Sequence, residues 1–119
     1  MGATPAWPPR STPRLYVEAQ RGSNLFKQSA LTEKGQVVET NLHDILTGSQ
    51  PDGRAFTGNA DRTCNNWTSR GLGSAQVGHS DRIGNGNTSW NSSHGTRACS
   101  QSAIVEGGGV GLFYCFAAD

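Results

Sequence analysis

The sequence has little apolar material and little net charge, and both shortages exclude classes of protein. Only 34% of its 119 residues are hydrophobic, and no apolar run reaches the roughly 18 residues that a membrane-spanning helix needs. The net charge is +1 without a concentrated basic segment, so we expect no dedicated nucleic-acid binder. Gly, Ser, Thr and Asn supply much of the remainder, which predicts one small, loop-rich domain.

Cysteine is scarce, and its odd count is informative. The three cysteines, Cys64, Cys99 and Cys115, cannot all pair with one another. A disulfide indicates an oxidising compartment, so we expect a secreted or periplasmic/extracellular protein. No signal peptide is visible, because the first 14 residues hold four of the five prolines and no apolar segment. Either a leader has been removed or the thiols stay reduced in a cytosol, and we favour the first.

Catalytic and metal-binding motifs are also missing. Ser, His and Asp occur without a Gly-x-Ser-x-Gly turn, and Cys115 lies in an apolar run, so we expect no enzyme. The three histidines, His43, His79 and His94, show none of the short spacings typical of zinc ligands. His79, Asp81 and His94 could converge in a folded loop, but we expect no metal and no cofactor.

Turn-forming residues divide the chain into short segments. Residues 1–14 form a proline-rich arm that we expect to be disordered, and residues 15–19 are a strand candidate. Residues 24–34 could be helical, but Gly35 and the following valines favour a hairpin between 30–33 and 36–38. Residues 43–48 predict a strand, which Ser49-Gln-Pro-Asp-Gly53 ends with a type I turn.

The C-terminal half contains long Gly/Asn-rich loops and one apolar run. Residues 110–117, Val-Gly-Leu-Phe-Tyr-Cys-Phe-Ala, predict a strand. Because the run is continuous, we expect this strand to be central in the sheet and buried on both faces. Gly107-Gly-Gly-Val-Gly111 precedes this strand and predicts a tight turn rather than a phosphate-binding loop.

The order of cysteines and tryptophans resembles a known family. Cys64-Asn-Asn-Trp67, then Trp90-Asn91, Cys99 and a cysteine on an apolar terminal strand are similar to the C-type-lectin-like fold. The closer resemblance is to its endostatin-like branch, the C-terminal domain type of collagens XV and XVIII, and to small bacterial secreted lectin-like proteins. The resemblance implies an α+β domain over residues 15–119, shortened at its N-terminus. It also implies short antiparallel strands, long disulfide-held loops and reduced helical content.

The family pattern implies how the cysteines are used. It pairs Cys64 with Cys99 and closes a loop of about 35 residues, a constraint of about 3–4 kcal/mol in the chain-entropy model. The usual N-terminal partner of Cys115 is missing, which leaves Cys115 as a free or intermolecular thiol. We expect that thiol to be buried as a small hydrophobe. Trp67 and Trp90 are expected in the core.

The resemblance also brings a sugar-binding calcium site that this chain lacks. Gln50-Pro51-Asp52 matches a sugar-binding motif but precedes Cys64, on the wrong side of the disulfide loop. Ser92 replaces the aspartate expected after Trp90-Asn91, and Asp81 is the sole carboxylate between Cys64 and Cys99. Calcium needs six to eight oxygen ligands, so we expect no calcium site.

The function that remains is calcium-independent recognition of a glycan or a protein surface through the loop region 65–98. One alternative is a structural or adhesion module completed by a partner or by a second copy. Another is the binding of heparin-like polyanions through Arg54, Arg62, Arg70, Arg82 and Arg97. The expected recognition residues are Asn65, Arg70, His79, Asp81, Arg82, Asn85, Asn87, Asn91 and His94.

Overall fold

A four-stranded mixed sheet organises the protein. The computed structural model describes residues 27, 29–84 and 88–115. The strands are β1 (Asp44–Leu46), β2 (Gln76–His79), β3 (His94–Gly95) and β4 (Gly109–Phe113), in the order β3-β2-β1-β4. β2 is antiparallel to both β1 and β3, whereas β4 is parallel to β1. The domain is therefore a small mixed α/β unit, with a parallel pair that the expected antiparallel arrangement did not include.

Two helical segments accompany the sheet. A 3-10 turn covers Thr40–Leu42, and helix α1 covers Gln101–Gly107 directly before β4. The Ser100 side chain caps α1 by accepting a hydrogen bond from Ala103 N. Gly108 ends the helix with a φ of 112°, a conformation that glycine adopts without strain. The predicted tight turn at these glycines is therefore confirmed.

The hydrophobic core lies on one face of the sheet, around the disulfide. Leu46 on β1 and Val77 on β2 pair directly and pack with Ala75, and Val77 is fully buried. Cys64 and Cys99 form the disulfide and belong to the same cluster. The pairing implied by the family resemblance is therefore present.

The opposite face of β2 is covered by the segment at Trp90. A Cβ atom on Gly78 would lie 1.8 Å from the Trp90 backbone oxygen, so only glycine permits this approach. Trp90 is 8% exposed, which confirms its expected place in the interior. The Tyr114 hydroxyl donates a 2.8 Å hydrogen bond to the Trp90 carbonyl.

A left-handed turn carries the first cysteine of the disulfide. Cys64–Trp67 all have positive φ, at 50°, 54°, 55° and 64°. Such a conformation costs roughly 1–2 kcal/mol per residue outside glycine, somewhat less for asparagine. Asp61 stabilises the turn by accepting hydrogen bonds from the backbone N–H groups of Thr63 and Asn65, at 3.1 and 3.0 Å.

The structure confirms three of the local predictions. The hairpin is present as an antiparallel bridge between Leu31 and Val37, with Gly35 at a φ of 75°. The strand predicted at 43–48 is β1. The turn after it is closed by a 2.9 Å hydrogen bond from Gly53 N to Gln50 O.

Three other predictions are wrong. β4 lies at an edge of the described sheet, and Phe113 is 46% exposed, because β4 pairs only with β1. Cys115 is exposed rather than buried, since it follows this edge strand. Trp67 is 42% exposed and contacts Phe113 edge-on, with ring centroids 5.3 Å apart.

The predictions for the N-terminus cannot be compared with the structure. The proline-rich arm at 1–14 and the strand candidate at 15–19 lie outside the described residues.

Candidate metal centre

All three histidines of the chain surround one buried carboxylate. Asp44 is 3% exposed, and its Oδ1 atom lies 3.2 Å from His79 Nε2 and 3.6 Å from His43 Nε2. The other carboxylate oxygen, Oδ2, lies 3.3 Å from His94 Nε2. The same nitrogen of each ring therefore faces Asp44. We call these four residues the histidine cluster.

The strand register brings the cluster together. Asp44 on β1 pairs with His79 on β2, and His94 on β3 pairs with Val77. Side chains two residues apart on a strand point to the same face, so Val77 and His79 share a face with their partners. His79 therefore has Asp44 as its direct cross-strand neighbour and His94 as a diagonal neighbour on the other side.

His43 joins from the residue before β1. Its backbone carbonyl accepts a 2.9 Å hydrogen bond from Ser80 N, which ties it to the loop after β2. In that loop Asp81 Oδ1 lies 2.8 Å from His43 Nδ1 and also accepts a 3.0 Å bond from Ile83 N. The ring of His43 is stacked on that of His79, with centroids 4.1 Å apart.

The backbone at Gly108 and Gly109 lies against Asp44. Asp44 N donates a 3.0 Å hydrogen bond to Gly108 O. A Cβ atom on Gly109 would lie 2.9 Å from the Asp44 carbonyl oxygen, closer than such atoms pack. A Cβ atom on Gly108 would lie 3.5 Å from Asp44 Oδ2. The turn between α1 and β4 therefore lies against Asp44 and helps to bury it.

The second ring nitrogens show which protons are in place. His43 Nδ1 faces the carboxylate of Asp81, and His94 Nδ1 lies 3.1 Å from the carbonyl oxygen of Gly95. The Asp81 carboxylate only accepts hydrogen bonds, so His43 Nδ1 carries a proton. In the neutral form of that ring, His43 Nε2 then presents a lone pair to Asp44, whereas His94 Nε2 is hydrogen-bonded to Asp44 Oδ2. His79 Nδ1 lies 3.4 Å from the Ser93 hydroxyl, which can donate or accept.

Several buried atoms of the cluster lack a hydrogen bond. Within the described part of the chain, Asp44 Oδ1, His79 Nε2 and Asp81 Oδ2 have no hydrogen-bond partner. Asp44 Oδ1 and His79 Nε2 are close enough for an ion pair, but their directions do not suit a hydrogen bond. A buried polar atom without a partner costs about 1–3 kcal/mol, so the cluster favours a cation between these atoms.

Burial shifts the pKa values of Asp44 and His79 in opposite directions. Desolvation raises the pKa of Asp44 above its ordinary value, against the opposing effects of His94, His79 and His43. Desolvation, followed by the neighbouring charge of His43, lowers the pKa of His79 below its ordinary value. A lowered pKa favours the neutral imidazole, which is the form that binds a metal ion.

The distances from Asp44 Oδ1 to His79 Nε2 and His43 Nε2, 3.2 and 3.6 Å, are close to those between the ligands of a small metal ion. Bonds of about 2.0–2.1 Å place neighbouring ligand atoms of a tetrahedral zinc site about 3.3 Å apart. The candidate ligand atoms of His43, Asp44 and His79 all lie within 4.8 Å of one another. The stacked rings of His43 and His79 are 13° from parallel, so one must rotate before both lone pairs point at one ion.

The expected recognition residues fall into two groups. His79, Asp81 and Asn91 are buried, whereas Asn65, Arg70, Arg82 and His94 are exposed. His79, Asp81 and His94 come together, as the sequence allowed. Asn91 is structural, because its Nδ2 donates to Gln50 O at 3.0 Å and to Pro51 O at 3.3 Å. Asn85 and Asn87 lie outside the described residues.

Two of the arginines considered for polyanion binding contact neighbouring side chains. Arg62 lies over the Phe56 ring at 5.1 Å and donates a 3.4 Å hydrogen bond to Gln76 Oε1. Arg54 lies 3.8 Å from Asp52. These contacts occupy two of the five arginines considered for polyanion binding.

His43 and Asp44 were not among the residues predicted for the site. His43 is far from the other histidines along the chain, and Asp44 lies outside the loop between Cys64 and Cys99. One signal was available in the sequence. Asp44 directly follows His43, and Asp81 lies two positions after His79. The first pair stands at the start of β1 and the second at the end of β2. Spacing along the chain predicts no metal site, whereas the arrangement in space favours one.

Comparisons with known proteins add no relative. No family model, curated protein or solved structure matches the chain. Among the described residues, no helix is long and apolar enough to cross a membrane.

Proposed function

We propose that this protein binds a divalent transition-metal ion such as Zn²⁺ in the histidine cluster. The observation that carries the proposal is the convergence of three Nε2 atoms on one buried carboxylate. His43 Nε2, Asp44 Oδ1 and His79 Nε2 are the proposed ligands, and His94 stands at the second oxygen of Asp44. Imidazole and carboxylate together suit Zn²⁺ and its neighbours better than Ca²⁺ or Mg²⁺.

The contacts of the other ring nitrogens, the Nδ1 atoms, support this assignment. A metal-binding histidine usually donates its other ring N–H to a carboxylate or carbonyl, which fixes the tautomer. His43 has this arrangement through Asp81, at 2.8 Å. Ser93 is the corresponding neighbour of His79. Asp81 is thus a positioning residue for the site rather than a ligand.

Calorimetric titration of the untagged, chelator-treated protein with ZnCl₂ tests the proposal. The tag must be absent because the chain's three histidines all lie in the cluster. We expect one ion per chain. Asp44→Asn should weaken binding by more than about 100-fold, beyond the 10–100-fold typical of supporting residues, and Asp81→Asn should fall within that range.

Asp52→Asn is the matched control. Asp52 is an exposed aspartate in the turn after β1, where its Oδ1 accepts a hydrogen bond from Arg54 N, and it does not belong to the histidine cluster. Its loss should leave Zn²⁺ affinity unchanged. Wild-type protein that takes up no Zn²⁺, or equal affinity in Asp44→Asn and Asp52→Asn, would refute the proposed function.

A second candidate function is calcium-independent recognition of a glycan or protein surface through the exposed part of the 65–98 loop. It is favoured by a cavity of about 260 Å³ with Arg82 at its wall and Trp90 beneath it. The lining residues are Pro51, Arg82, Thr88, Ser89, Trp90 and Asn91. A mixed aromatic and polar lining suits a sugar or a peptide turn.

A glycan array with Arg82→Gln tests this second function. We expect a bound glycan whose signal is lost in Arg82→Gln and kept in Arg54→Gln, an exposed arginine outside the loop. An array without signal, or one that both variants leave unchanged, would count against recognition at this cavity.

We also propose that the domain is a C-type-lectin-like fold that works outside the cytoplasm. The Cys64–Cys99 disulfide and the long loop that it closes support both ideas. The edge position of β4 does not favour the fold assignment. A thiol count on protein isolated without reductant tests the compartment: one reactive thiol per chain is expected, and three would contradict it.

A further inference from the structure

We propose that the metal ion keeps an open coordination position facing His94 and that a small anion, such as a carboxylate, binds there. This inference rests on the proposed function. It states that His94 is not a ligand and instead lies at the entrance to the site.

The two oxygens of Asp44 separate an inner from an outer side. Oδ1 is near both His43 and His79, whereas Oδ2 is near His94. An ion bound through Oδ1 therefore has His43 and His79 as its nearest imidazoles. His94 is left beside the oxygen that faces away from those two rings.

The solvent exposure of the side chains also increases from the Oδ1 side of Asp44 to the Oδ2 side. The side chains of Asp44 and His79 are 3% and 7% exposed, and that of His43 is 18% exposed. The side chain of His94 is 42% exposed. Protein atoms thus enclose the three inner ligands, and the site meets solvent beside His94.

Three protein ligands leave one coordination position of a four-coordinate zinc ion without a protein atom. Zinc sites with three protein ligands keep a fourth position for water or a bound substrate, whereas closed structural sites use four. Two neutral imidazoles and one carboxylate around a divalent ion leave a net charge of +1. That charge favours an anion over a neutral molecule at the remaining position.

The contacts of His94 suit a residue at the entrance rather than a ligand. Its Nε2 is hydrogen-bonded to Asp44 Oδ2 at 3.3 Å, and its Nδ1 lies 3.1 Å from the Gly95 carbonyl oxygen. Both ring nitrogens therefore already face oxygen atoms of the protein, and the metal ion itself would supply most of the attraction for an incoming carboxylate.

Two measurements on untagged full-length protein test the inference. Nitrogen-15 spectra of the Zn²⁺-loaded protein identify metal-bound imidazole nitrogens, and we expect those of His43 and His79 alone. Visible spectra of the Co²⁺-loaded protein should then shift saturably when azide or acetate is added. His94→Ala should keep the azide response and lose no more than about tenfold in Co²⁺ affinity, as for a supporting residue.

Each contrary result has a distinct meaning. Three metal-bound rings, or a Co²⁺ spectrum that excess azide leaves unchanged, would overturn the open position while the metal site stands. Failure to bind Zn²⁺ or Co²⁺ at all would overturn the proposed function and this inference together. Circular dichroism of His94→Ala checks that the exposed substitution leaves the fold intact.

Discussion

The two ends of one sheet face behave in opposite ways. At one end Leu46 and Val77 pack on the disulfide in an apolar cluster. At the other end, two positions along the same strands, Asp44 and His79 are equally buried and polar. The alternation of strand side chains places both sets on one face, so their difference comes from residue type alone. The first end holds the fold together, and the second end is available for chemistry.

Two aspartates show the same contrast. Asp61, near the disulfide, accepts backbone hydrogen bonds from Asn65 and Thr63, and these lower its pKa. Desolvation instead raises the pKa of Asp44. One carboxylate is satisfied by the fold, whereas the other lies among histidine nitrogens and retains an oxygen without a hydrogen bond. A stabilising carboxylate and a ligand carboxylate can therefore be distinguished by their partners.

Breaking the disulfide should have the largest effect on the apolar end. Replacing Cys64 and Cys99 with serine should lower the free energy of unfolding by about 3–4 kcal/mol, because the unfolded chain regains the entropy of the open loop. Urea denaturation of the double variant measures the loss. Cys115→Ser is the control, since Cys115 is exposed and outside the disulfide. Equal stability of the control and the double variant would show that the disulfide does not contribute this free energy of unfolding.

Metal binding should stabilise the polar end by a slightly smaller amount. At a free Zn²⁺ concentration 100 times the dissociation constant, the free energy of unfolding should rise by about 2.7 kcal/mol. Urea denaturation with and without Zn²⁺ measures the difference. Asp44→Asn should abolish it, whereas without metal this variant should differ little from wild type, since it removes a buried charge. Wild-type stabilisation that survives in Asp44→Asn would place the ion elsewhere.

Shortening Val77 should test how tightly the apolar end is packed. Val77→Ala removes two methyl groups from a fully buried side chain and should cost about 2 kcal/mol. The exposed Val105 offers the comparison, and Val105→Ala should change stability much less. Similar losses at both positions would show that the interior around Val77 is loosely packed.

Acid should weaken the disulfide end through Asp61, with the smallest effect. The folded pKa of Asp61 is lowered, so its contribution is fully present above its ordinary value of 3.8 and is lost as the pH falls towards the folded value. Acid unfolding of wild type and Asp61→Asn measures this: the variant should show a weaker pH dependence below pH 4. Identical acid transitions would mean that the backbone hydrogen bonds from Thr63, Asn65 and Ser74 do not favour the charged form of Asp61.

Local chemistry in the sequence predicted much of the fold. Gly35 and the Pro51-Asp52-Gly53 run fixed two turns, because each requires a backbone conformation that these residues prefer. The odd cysteine count, read with the family resemblance, gave the correct disulfide. The terminal strand was predicted to be central, whereas it lies at the edge of the described sheet. An apolar run does not reveal how many neighbouring strands a strand has, and Gly109 and Gly111 contribute no side chains to the packing.

The site was harder to predict for a physical reason. The contact between Asp44 and His79 depends on strand register, and their direct pairing is set by partners that are distant along the chain. His94 reaches the same place only because β3 pairs with β2 beside Val77. Sequence motifs for metal sites rely on short spacings between ligands, and they do not describe ligands that come from three different strands. Pairs such as His43-Asp44 and His79-Ser-Asp81 were the available hint.

The shortness of β3 has a consequence for the rigidity of the histidine cluster. This strand contains two residues, and the backbone bonds from Ser93 N to Val77 O and from Thr96 N to Ala75 O flank it. A short edge strand opens at a small fraction of the free energy needed to unfold the core. Local opening of β3 therefore moves His94 relative to Asp44 and His79, while the disulfide and Val77 remain in place.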